Sequence, residues 1–206
     1  MKLKNAMALG LASVLAVGLT ACGSSAESTV AAADAAGAPD GDGDPTTLTV
    51  AMECAYAPYN WTQSDDSNGA VEIRGSSDYA YGYDVMMAKK IGEALGQKVQ
   101  IVKLDWDSLI PAVMSGDVDC VIAGQSITAE RAAQVDFSDP YYYASIITLT
   151  KKDSAYANAA SVADLAGATA TSQLGTIWYD TCLPQIENAN ILPAQETAPA
   201  MLVALN

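Results

Sequence analysis

Arg131 is one of two arginines in a chain of 206 residues, and its surroundings could give it a chemical role. It follows the strand-like segment "VDCVIAG" and lies just inside a helix that Thr128 is expected to cap. A planar guanidinium can bind both oxygens of a carboxylate in a dry cleft, and a helix start adds support for an anion. Most helical arginines are solvated, so the spacing leaves both an anion-binding role and a surface role open.

The composition excludes several other kinds of site. The chain contains no histidine, which excludes Ser-His-Asp and Cys-His nucleophilic sites. Its four cysteines, Cys22, Cys54, Cys120 and Cys182, form no CxxC pair, so we expect neither a zinc site nor a cofactor. A formal net charge of -14 argues against nucleic-acid binding and against a polybasic membrane patch.

Strands and helices alternate from Leu48 onward, which favours an α/β architecture with a mostly parallel sheet. In the first half, strands are predicted at "LTVAM", "KVQIVKL" and "VDCVIAG". Helices are predicted at "VMMAKKIGEAL", with Asp84 as its cap and Gly96 as its end, and at "SLIPAVMSG", with Asp107 as its cap. Residues 63–80 are polar and rich in Gly and Ser, which indicates a surface loop or hairpin.

The pattern repeats after Tyr143, so we predict two α/β lobes, residues 47–143 and residues 144–206. The second lobe contains the extended segment "ASIITLTKK", a short helical turn at "SVADLAG", a strand at "ATATSQ", and a helix after Gly175. A strand near Ile191 and a last helix, "APAMLVALN", follow. Cys54 and Cys120 fall near the ends of two predicted strands, a placement that fits either a disulfide or two buried thiols.

The first 22 residues, "MKLKNAMALGLASVLAVGLTAC", have the features of a targeting signal. Two lysines precede an apolar run from Ala6 to Leu19 that is too short for a membrane-spanning helix. The run ends at Cys22 in a pattern that resembles the bacterial lipobox, in which the cysteine becomes the lipidated first residue of the mature protein. We therefore expect residues 1–21 to be a lipoprotein signal peptide; an ordinary signal peptide with an incidental cysteine is the alternative.

Residues 22–46 are small and polar, which indicates a flexible, lipid-anchored linker. Asp40, Asp42 and Asp44 alternate as in some calcium loops, but the glutamate that ends such a loop is missing, so a solvated linker is expected. A thioether-linked diacylglyceryl group and an N-acyl chain such as palmitate would together hold the protein firmly to the membrane. The predicted location is extracytoplasmic, anchored to the bacterial cell membrane.

Several segments taken in order closely resemble the polar amino acid substrate-binding lipoproteins of ABC importers, the solute-binding proteins of family 3. They are "LTVAMECAYAPYNW", "YGYDVMMAKKIGEALG", "WDSLIPAVMSGDVDCVIAGQSITAERAAQVDFSDPYY", "SVADLAG" and "SQLGT". The most specific of these is the stretch through "SITAERAAQVDFSDPYY". The resemblance runs from about Leu48 to Asn206 and implies the type II periplasmic-binding-protein fold, in which two lobes close around one free amino acid.

The resemblance implies a role for four residues around the ligand's backbone groups. Arg131 matches the bidentate donor to the ligand carboxylate, and Ser126 matches a residue that binds the carboxylate through its hydroxyl and its backbone N–H. Ala123 and Gly124 match small strand-end residues whose backbone meets the ligand's ammonium and carboxylate. Other members often carry serines at these two positions, so this chain loses hydroxyl contacts there.

Three further residues match positions around the ligand side chain. Tyr56 and Trp106 match the two aromatic faces that sandwich it, which favours a polar or cationic side chain. Glu53 matches an often acidic position that either binds the far end of a basic side chain or remains a carboxylate at the rim. In the second lobe, a strand-to-helix turn that closes on the carboxylate is matched by Gln173, Gly175 and Thr176, although Ile177 replaces the usual hydroxyl residue.

The resemblance is incomplete at the C-terminal side. The family's second lobe continues to an aspartate that neutralises the ligand's ammonium group and then returns to the first lobe. Neither feature precedes Asn206, so we expect a truncated second lobe and a chain that is part of a longer protein. We also expect residues 47–206 alone to bind amino acids weakly or not at all.

The implied function is capture of a free polar or basic amino acid and its delivery to the membrane permease of an ABC importer. The protein is then a monomer without enzyme activity. Two alternatives remain open. One is an enzyme on the same fold, such as a cyclohexadienyl- or arogenate-type dehydratase, with Glu53 as the candidate acid or base. The other is an amino-acid sensor domain.

Overall fold

The computed structural model describes residues 45–206. The predicted signal peptide, the predicted lipidation site Cys22 and nearly all of the predicted linker therefore lie outside the described residues. Within residues 45–206, no helix is long and apolar enough to cross a membrane.

This part of the chain contains nine short strands and four α-helices. The strands are β1 (Thr47–Met52), β2 (Ala55–Tyr56), β3 (Asn60–Gln63), β4 (Val71–Glu72), β5 (Tyr79–Tyr81), β6 (Lys98–Lys103), β7 (Cys120–Val121), β8 (Thr169–Ala170) and β9 (Asn190–Ile191). The helices are α1 (Tyr83–Leu95), α2 (Leu109–Ser115), α3 (Ala129–Ala132) and α4 (Ala198–Leu205). Single 3₁₀ turns lie at Ser67–Gly69, Trp106–Ser108, Val162–Leu165 and Leu183–Gln185, and a π-helical turn lies at Trp178–Cys182.

A parallel sheet with the order β6-β1-β7 forms the centre of the first half. Its central strand, β1, is buried along its whole length, as expected for a parallel strand covered on both faces. Val50 lies opposite Ile101 on one side and Cys120 on the other, which aligns the carboxyl ends of the three strands. The predicted parallel α/β pattern is therefore confirmed for this sheet.

Residues 55–81 form a second, antiparallel sheet with the order β2-β3-β5-β4. In it β4 and β5 pair as a hairpin, one of the two forms predicted for residues 63–80. A third sheet pairs β8 with β9 in parallel. It packs over a small core of Leu165, Ala168 and Ile186, in contrast to the large cluster around β1 and α1. The predicted lobe boundary at residues 143 and 144 stays a prediction.

Two predicted helix caps are wrong. Helix α1 begins two residues earlier than predicted, at Tyr83 after Gly82, so Asp84 lies inside the first turn, where its carboxylate is fully buried. Helix α2 begins at Leu109 after a 3₁₀ turn, and Asp107 lies inside that turn. By contrast, Thr128 caps α3 as predicted, because its hydroxyl accepts the N–H of Arg131.

Several predicted elements are shorter than their patterns indicate. Strand β7 covers two residues, and α3 covers one turn. The segment 144–150, predicted to be extended, belongs to no strand or helix in the described part of the chain, and Ile147 on it is 82% exposed. Its other large apolar residues, Ile146 and Leu149, are also more than half exposed.

The cysteines of the described residues, Cys54, Cys120 and Cys182, are free. Of the two placements left open, the structure therefore shows thiols rather than a disulfide. Burial raises the pKa of Cys54 to about 12 and that of Cys120 to about 11, so both thiols are protonated at neutral pH.

Gly82, at the start of α1, generates a prediction for stability. Its φ is 130°, and a Cβ at this position would overlap the carbonyl group of Tyr59. We expect Gly82→Ala to lower the free energy of unfolding by about 3 kcal/mol or more, since backbone strain and a backbone overlap add. Urea denaturation followed by circular dichroism measures the loss.

Gly96, which ends α1, provides the matched control. Its φ is 71°, but a Cβ there would meet nothing within 4 Å. Gly96→Ala should therefore cost about 1–2 kcal/mol, the cost of left-handed backbone alone. Equal losses of unfolding free energy in the two variants would contradict the expected overlap between a Cβ at position 82 and the Tyr59 carbonyl group.

Candidate ligand-binding site

The carboxyl end of β1 begins the candidate site. Glu53 follows the strand directly, and Cys54 then adopts left-handed backbone with φ of 55°. Two side chains hold this turn: the N–H of Cys54 donates to Asn60 Oδ1 at 2.8 Å, and the hydroxyl of Thr62 donates to the carbonyl of Cys54 at 2.9 Å. The turn buries Glu53 and leaves Tyr56 half-buried beyond it.

Glu53 is bonded to Gln173, which lies 120 residues further along the chain. The amide Nε2 of Gln173 donates to Glu53 Oε1 at 2.7 Å and to the carbonyl of Glu196 at 3.1 Å. Both side chains are buried. Burial raises the pKa of Glu53, the bond from Gln173 opposes that rise, and the charge of Asp105 adds to it.

Arg131 is held by two carbonyl groups from different parts of the chain. Its Nη1 donates to the carbonyl of Ser126 at 2.9 Å, and its Nη2 donates to the carbonyl of Gly175 at 3.1 Å. The guanidinium carbon lies 5.5 Å from the ring centroid of Trp106, a cation–π distance. Burial lowers the pKa of Arg131, and the nearby Glu130 and Asp180 oppose this.

The carbonyl oxygen of Gly175 receives a second donor, Trp106 Nε1, at 3.0 Å. A cation and an indole N–H therefore converge on one oxygen atom. Gly175 has φ of 66°, and a Cβ there would lie 3.5 Å from the Trp106 ring, so the turn passes directly over the indole. This convergence of donors is what an anionic oxygen would require.

A cavity of about 400 Å³ opens beside Arg131, within the size range of small-molecule sites. Its walls include four of the ten predicted ligand residues: Trp106, Arg131, Gly175 and Thr176. Asp180 and Thr128 also line it. The other six predicted residues, Glu53, Tyr56, Ala123, Gly124, Ser126 and Gln173, are not part of its walls.

Tyr56 contacts aromatic rings other than that of Trp106. It stacks on Tyr59 with ring centroids 5.0 Å apart and meets Trp178 at 6.0 Å. Its ring also lies 3.8 Å from the position that a Cβ on Gly124 would occupy. In this structure Trp106 is paired with Arg131 instead, so a sandwich of Tyr56 and Trp106 around a ligand stays a prediction.

The remaining predicted residues lie in the backbone turns of the site. Ala123 is buried at the end of the segment after β7, and Gly124 follows it with φ of 63°. The carbonyl of Ser126, rather than its hydroxyl, contacts Arg131. The hydroxyl of Thr176 donates to the carbonyl of Gln173 at 2.7 Å, which closes the turn before Trp178.

Sequence reasoning missed several residues that contact the predicted ones. Trp178 reaches Tyr56 from the second half of the chain, and Asp180 lies near Arg131. Asp84 and Tyr141 connect to the backbone of Gly124. Tyr141 follows "DFSDP" and falls within the segment that carries the resemblance, but the sequence pattern does not indicate its hydrogen-bond partners.

Comparisons with known proteins agree on one family. The model of the bacterial extracellular solute-binding proteins of family 3 matches residues 48–204. The arginine-binding extracellular protein ArtP of Bacillus subtilis is 33% identical over 175 residues, which cover 85% of this chain and 58% of ArtP. A probable histidine-binding protein of Neisseria gonorrhoeae is 33% identical over 152 residues, covering 74% of this chain and 49% of that protein.

Solved structures show the same likeness. The ancestral amino acid-binding protein AncCDT-1, a precursor of cyclohexadienyl dehydratase, is 33% identical with a TM-score of 0.64, covering 78% of this chain and 66% of that one. The arginine-bound form of truncated ArgBP from T. maritima is 29% identical with a TM-score of 0.64, covering 78% and 68%. The chain thus spans about half to two thirds of these relatives' length.

The buried carboxylate of Glu53 generates a prediction for the pH dependence of stability. Its pKa is raised above the ordinary 4.5, so between that pH and the raised value the unfolded chain releases a proton that the folded chain retains. The wild-type protein therefore loses stability as pH rises through this window and does not regain it above. Glu53→Gln removes this loss and should raise the free energy of unfolding at neutral pH.

Urea denaturation over a pH series from about 4 to 8 measures this effect. The variant keeps an oxygen that can accept the bond from Gln173, so the change isolates the ionisation. Glu72→Gln, at an exposed carboxylate on β4, is the control and should follow the wild-type pH profile. Parallel profiles for all three proteins would contradict the prediction.

Proposed function

The chain belongs to the bacterial extracellular solute-binding proteins of family 3, and we propose that it captures a free polar or basic amino acid for an ABC importer. The predicted α/β fold of the type II periplasmic-binding-protein kind is confirmed by its solved relatives. On this proposal the ligand binds between the two halves of the chain, and the closed form docks on a membrane permease. The observation that carries it is the convergence of Arg131 and Trp106 on the Gly175 carbonyl.

This convergence is suited to an α-carboxylate. The guanidinium of Arg131 is half-buried, so a charge-assisted bond there is weakened less by water than one on the surface. Its two bonds to the carbonyls of Ser126 and Gly175 hold the fork in place without neutralising its charge. A ligand carboxylate oxygen would replace a neutral carbonyl oxygen on the same donors and would gain a full Coulomb attraction.

Glu53 and Tyr56 favour a basic side chain on that ligand. Glu53 is buried and its bonded partner, the Gln173 amide, is neutral. A guanidinium or ammonium group would give Glu53 a positively charged partner in place of the neutral amide. The face of Tyr56 could pack against the aliphatic part of the same ligand side chain. The relatives ArtP and ArgBP, which are named for binding arginine, support the same ligand class.

One observation favours a second candidate, an enzyme of the dehydratase type. Glu53 is a buried carboxyl group with a raised pKa, the property that a general acid requires. AncCDT-1, itself an amino acid-binding protein, is described as a precursor of such an enzyme. Release of an aromatic product from prephenate, abolished by Glu53→Gln, would favour the enzyme, whereas prephenate that remains intact would favour capture.

The role of Arg131 is tested by titrating isotope-labelled chain with millimolar L-arginine while its amide NMR signals are recorded. Even weak binding should shift signals of the Gly175 turn in the wild-type protein at this ligand concentration. Arg131→Lys should lower the affinity by about 30-fold, because lysine cannot make the bidentate bond. The shifts would then disappear from the accessible concentration range.

Arg74→Lys is the matched control, since Arg74 is the other arginine of the chain. It is exposed, and its bond to Gln100 is long at 3.5 Å, so its loss should leave the arginine response unchanged. An equal response in the Arg131 variant, or equal losses in both variants, would contradict the proposed carboxylate site.

We also propose that Cys22 carries the lipid that holds the protein to the outer face of the cell membrane. The support is the sequence pattern at residues 19–23 and the extracellular character of the family. In a bacterium that produces the protein, Cys22→Ser should move it from the membrane fraction to the soluble extracytoplasmic fraction. Mass spectrometry should show that the acyl groups are lost.

Cys182→Ser serves as the control for that experiment, because it removes a thiol on the π-helical turn and leaves the lipobox intact. This variant should remain in the membrane fraction with its acyl groups. Membrane retention of the Cys22 variant would contradict the proposed anchor. The bound partners are then the amino acid, the permease and the membrane, with no nucleic acid.

A further inference from the structure

A single buried carboxylate connects the two strand-end turns of the proposed site. Asp84, in the first turn of α1, is completely buried. Its Oδ2 accepts the amide of Asn60 at 2.7 Å, and its Oδ1 accepts the hydroxyl of Tyr141 at 2.9 Å. The two donors lie 24 and 57 residues away along the chain, so this carboxylate joins three separate segments.

Each donor also accepts a bond from the backbone of one turn. Asn60 Oδ1 accepts the N–H of Cys54 at 2.8 Å, and the hydroxyl oxygen of Tyr141 accepts the N–H of Gly124 at 2.9 Å. Two relays therefore start at Asp84. One ends at the turn after β1, and the other ends at the turn that follows β7.

Both backbone amides belong to residues in the left-handed region, Cys54 with φ of 55° and Gly124 with φ of 63°. In each case a side chain, not another strand, accepts the N–H of the residue. These bonds hold the backbone next to Glu53 and Tyr56 at one turn and at Gly124 at the other.

We propose that Asp84 is a positioning residue that fixes both turns of the ligand site, through Asn60 at Cys54 and through Tyr141 at Gly124. Asp84 itself touches no ligand in this arrangement. The inference rests on the proposed function for its purpose, but the two relays can be tested without any ligand.

The chemistry of Asp84 explains why a carboxylate is needed. Burial raises the pKa of Asp84, and the hydrogen bonds from Asn60 and Tyr141 oppose that rise because they favour the ionised form. In that form the carboxylate accepts hydrogen bonds and donates none, so both partners turn a proton towards it. Asn60 then presents its Nδ2 to Asp84 and keeps Oδ1 for Cys54. Tyr141 likewise points its proton at Asp84 and keeps an oxygen lone pair for Gly124. An amide at position 84 has a donor of its own and would reverse one of the two relays.

Hydrogen exchange of individual amides, measured by NMR on the full chain, tests the relays. Tyr141→Phe removes both the acceptor for Gly124 and the donor to Asp84 Oδ1, and it leaves the relay through Asn60 in place. It should speed exchange of the Gly124 amide about tenfold, the worth of one net hydrogen bond, while Cys54 keeps its rate. Asp84→Asn should speed exchange at one or both of the two amides. In both variants the response to L-arginine should weaken.

Tyr83→Phe is the matched control. The Tyr83 hydroxyl donates to the backbone carbonyl of Tyr141 at 3.2 Å, and its ring lies 6.1 Å from that of Tyr141, but it has no place in either relay. This variant loses one hydroxyl in the same neighbourhood and should leave the exchange of Gly124 and Cys54, and the arginine response, unchanged.

The outcomes separate the two proposals. Unchanged Gly124 exchange in Tyr141→Phe would overturn the inference, and this variant decides alone if Asp84→Asn does not fold. Faster exchange with an undiminished arginine response would also overturn it, because the turns would not need positioning. If the wild-type chain gives no arginine response while the amides behave as expected, the proposed function fails and the two relays stand.

Discussion

The parallel register of β1 with β7 is the constraint on which the site depends. Val50 lies opposite Cys120 and Ala51 opposite Val121, so the residues that follow the two strands emerge at one edge of the sheet. This brings the Glu53 turn and the Gly124 turn together, although 71 positions separate 53 from 124 in the numbering. Ligands of open α/β sheets commonly bind outside the carboxyl ends of the strands. A shift of one residue in β7 would turn every side chain of that strand to the other face and would separate the turns.

Arg131 and Glu53 make their hydrogen bonds at this edge to neutral groups. Arg131 bonds to two carbonyls and Glu53 bonds to an amide, so neither is hydrogen-bonded to a group of opposite charge. Such groups cost stability, which is visible in the lowered pKa of Arg131 and the raised pKa of Glu53. A protein built for stability alone would pair or replace them. Their retention is consistent with a site that keeps opposite charges ready for a ligand carrying both.

The features that follow from local sequence were predictable. Thr128 caps α3 and Gly96 ends α1, because each effect involves residues at most a few positions apart. Asp84 is a good capping residue by local pattern, but the prediction is wrong. Its carboxylate instead accepts hydrogen bonds from Asn60 and Tyr141, which are distant in the sequence. Ile91 and Leu95 follow the apolar period of α1 but lie exposed, while Gly92 is the buried contact with Val99. Trp178 and the bond between Glu53 and Gln173 depend on tertiary contacts that no spacing encodes.

On the proposed function, binding exchanges hydrogen bonds rather than adding them. In this structure the Gln173 amide is hydrogen-bonded to Glu53, and the Gly175 carbonyl is hydrogen-bonded to Arg131. A ligand must displace at least part of each pair, so the net gain comes from replacing a neutral partner by a charged one. A neutral side chain offers Glu53 only another dipole, whereas an ammonium or guanidinium group offers a full charge and would lower the raised pKa of this carboxyl group. On this proposal the exchange favours basic amino acids over neutral ones of similar size, because only a basic side chain brings an opposite charge to the Glu53 carboxyl group.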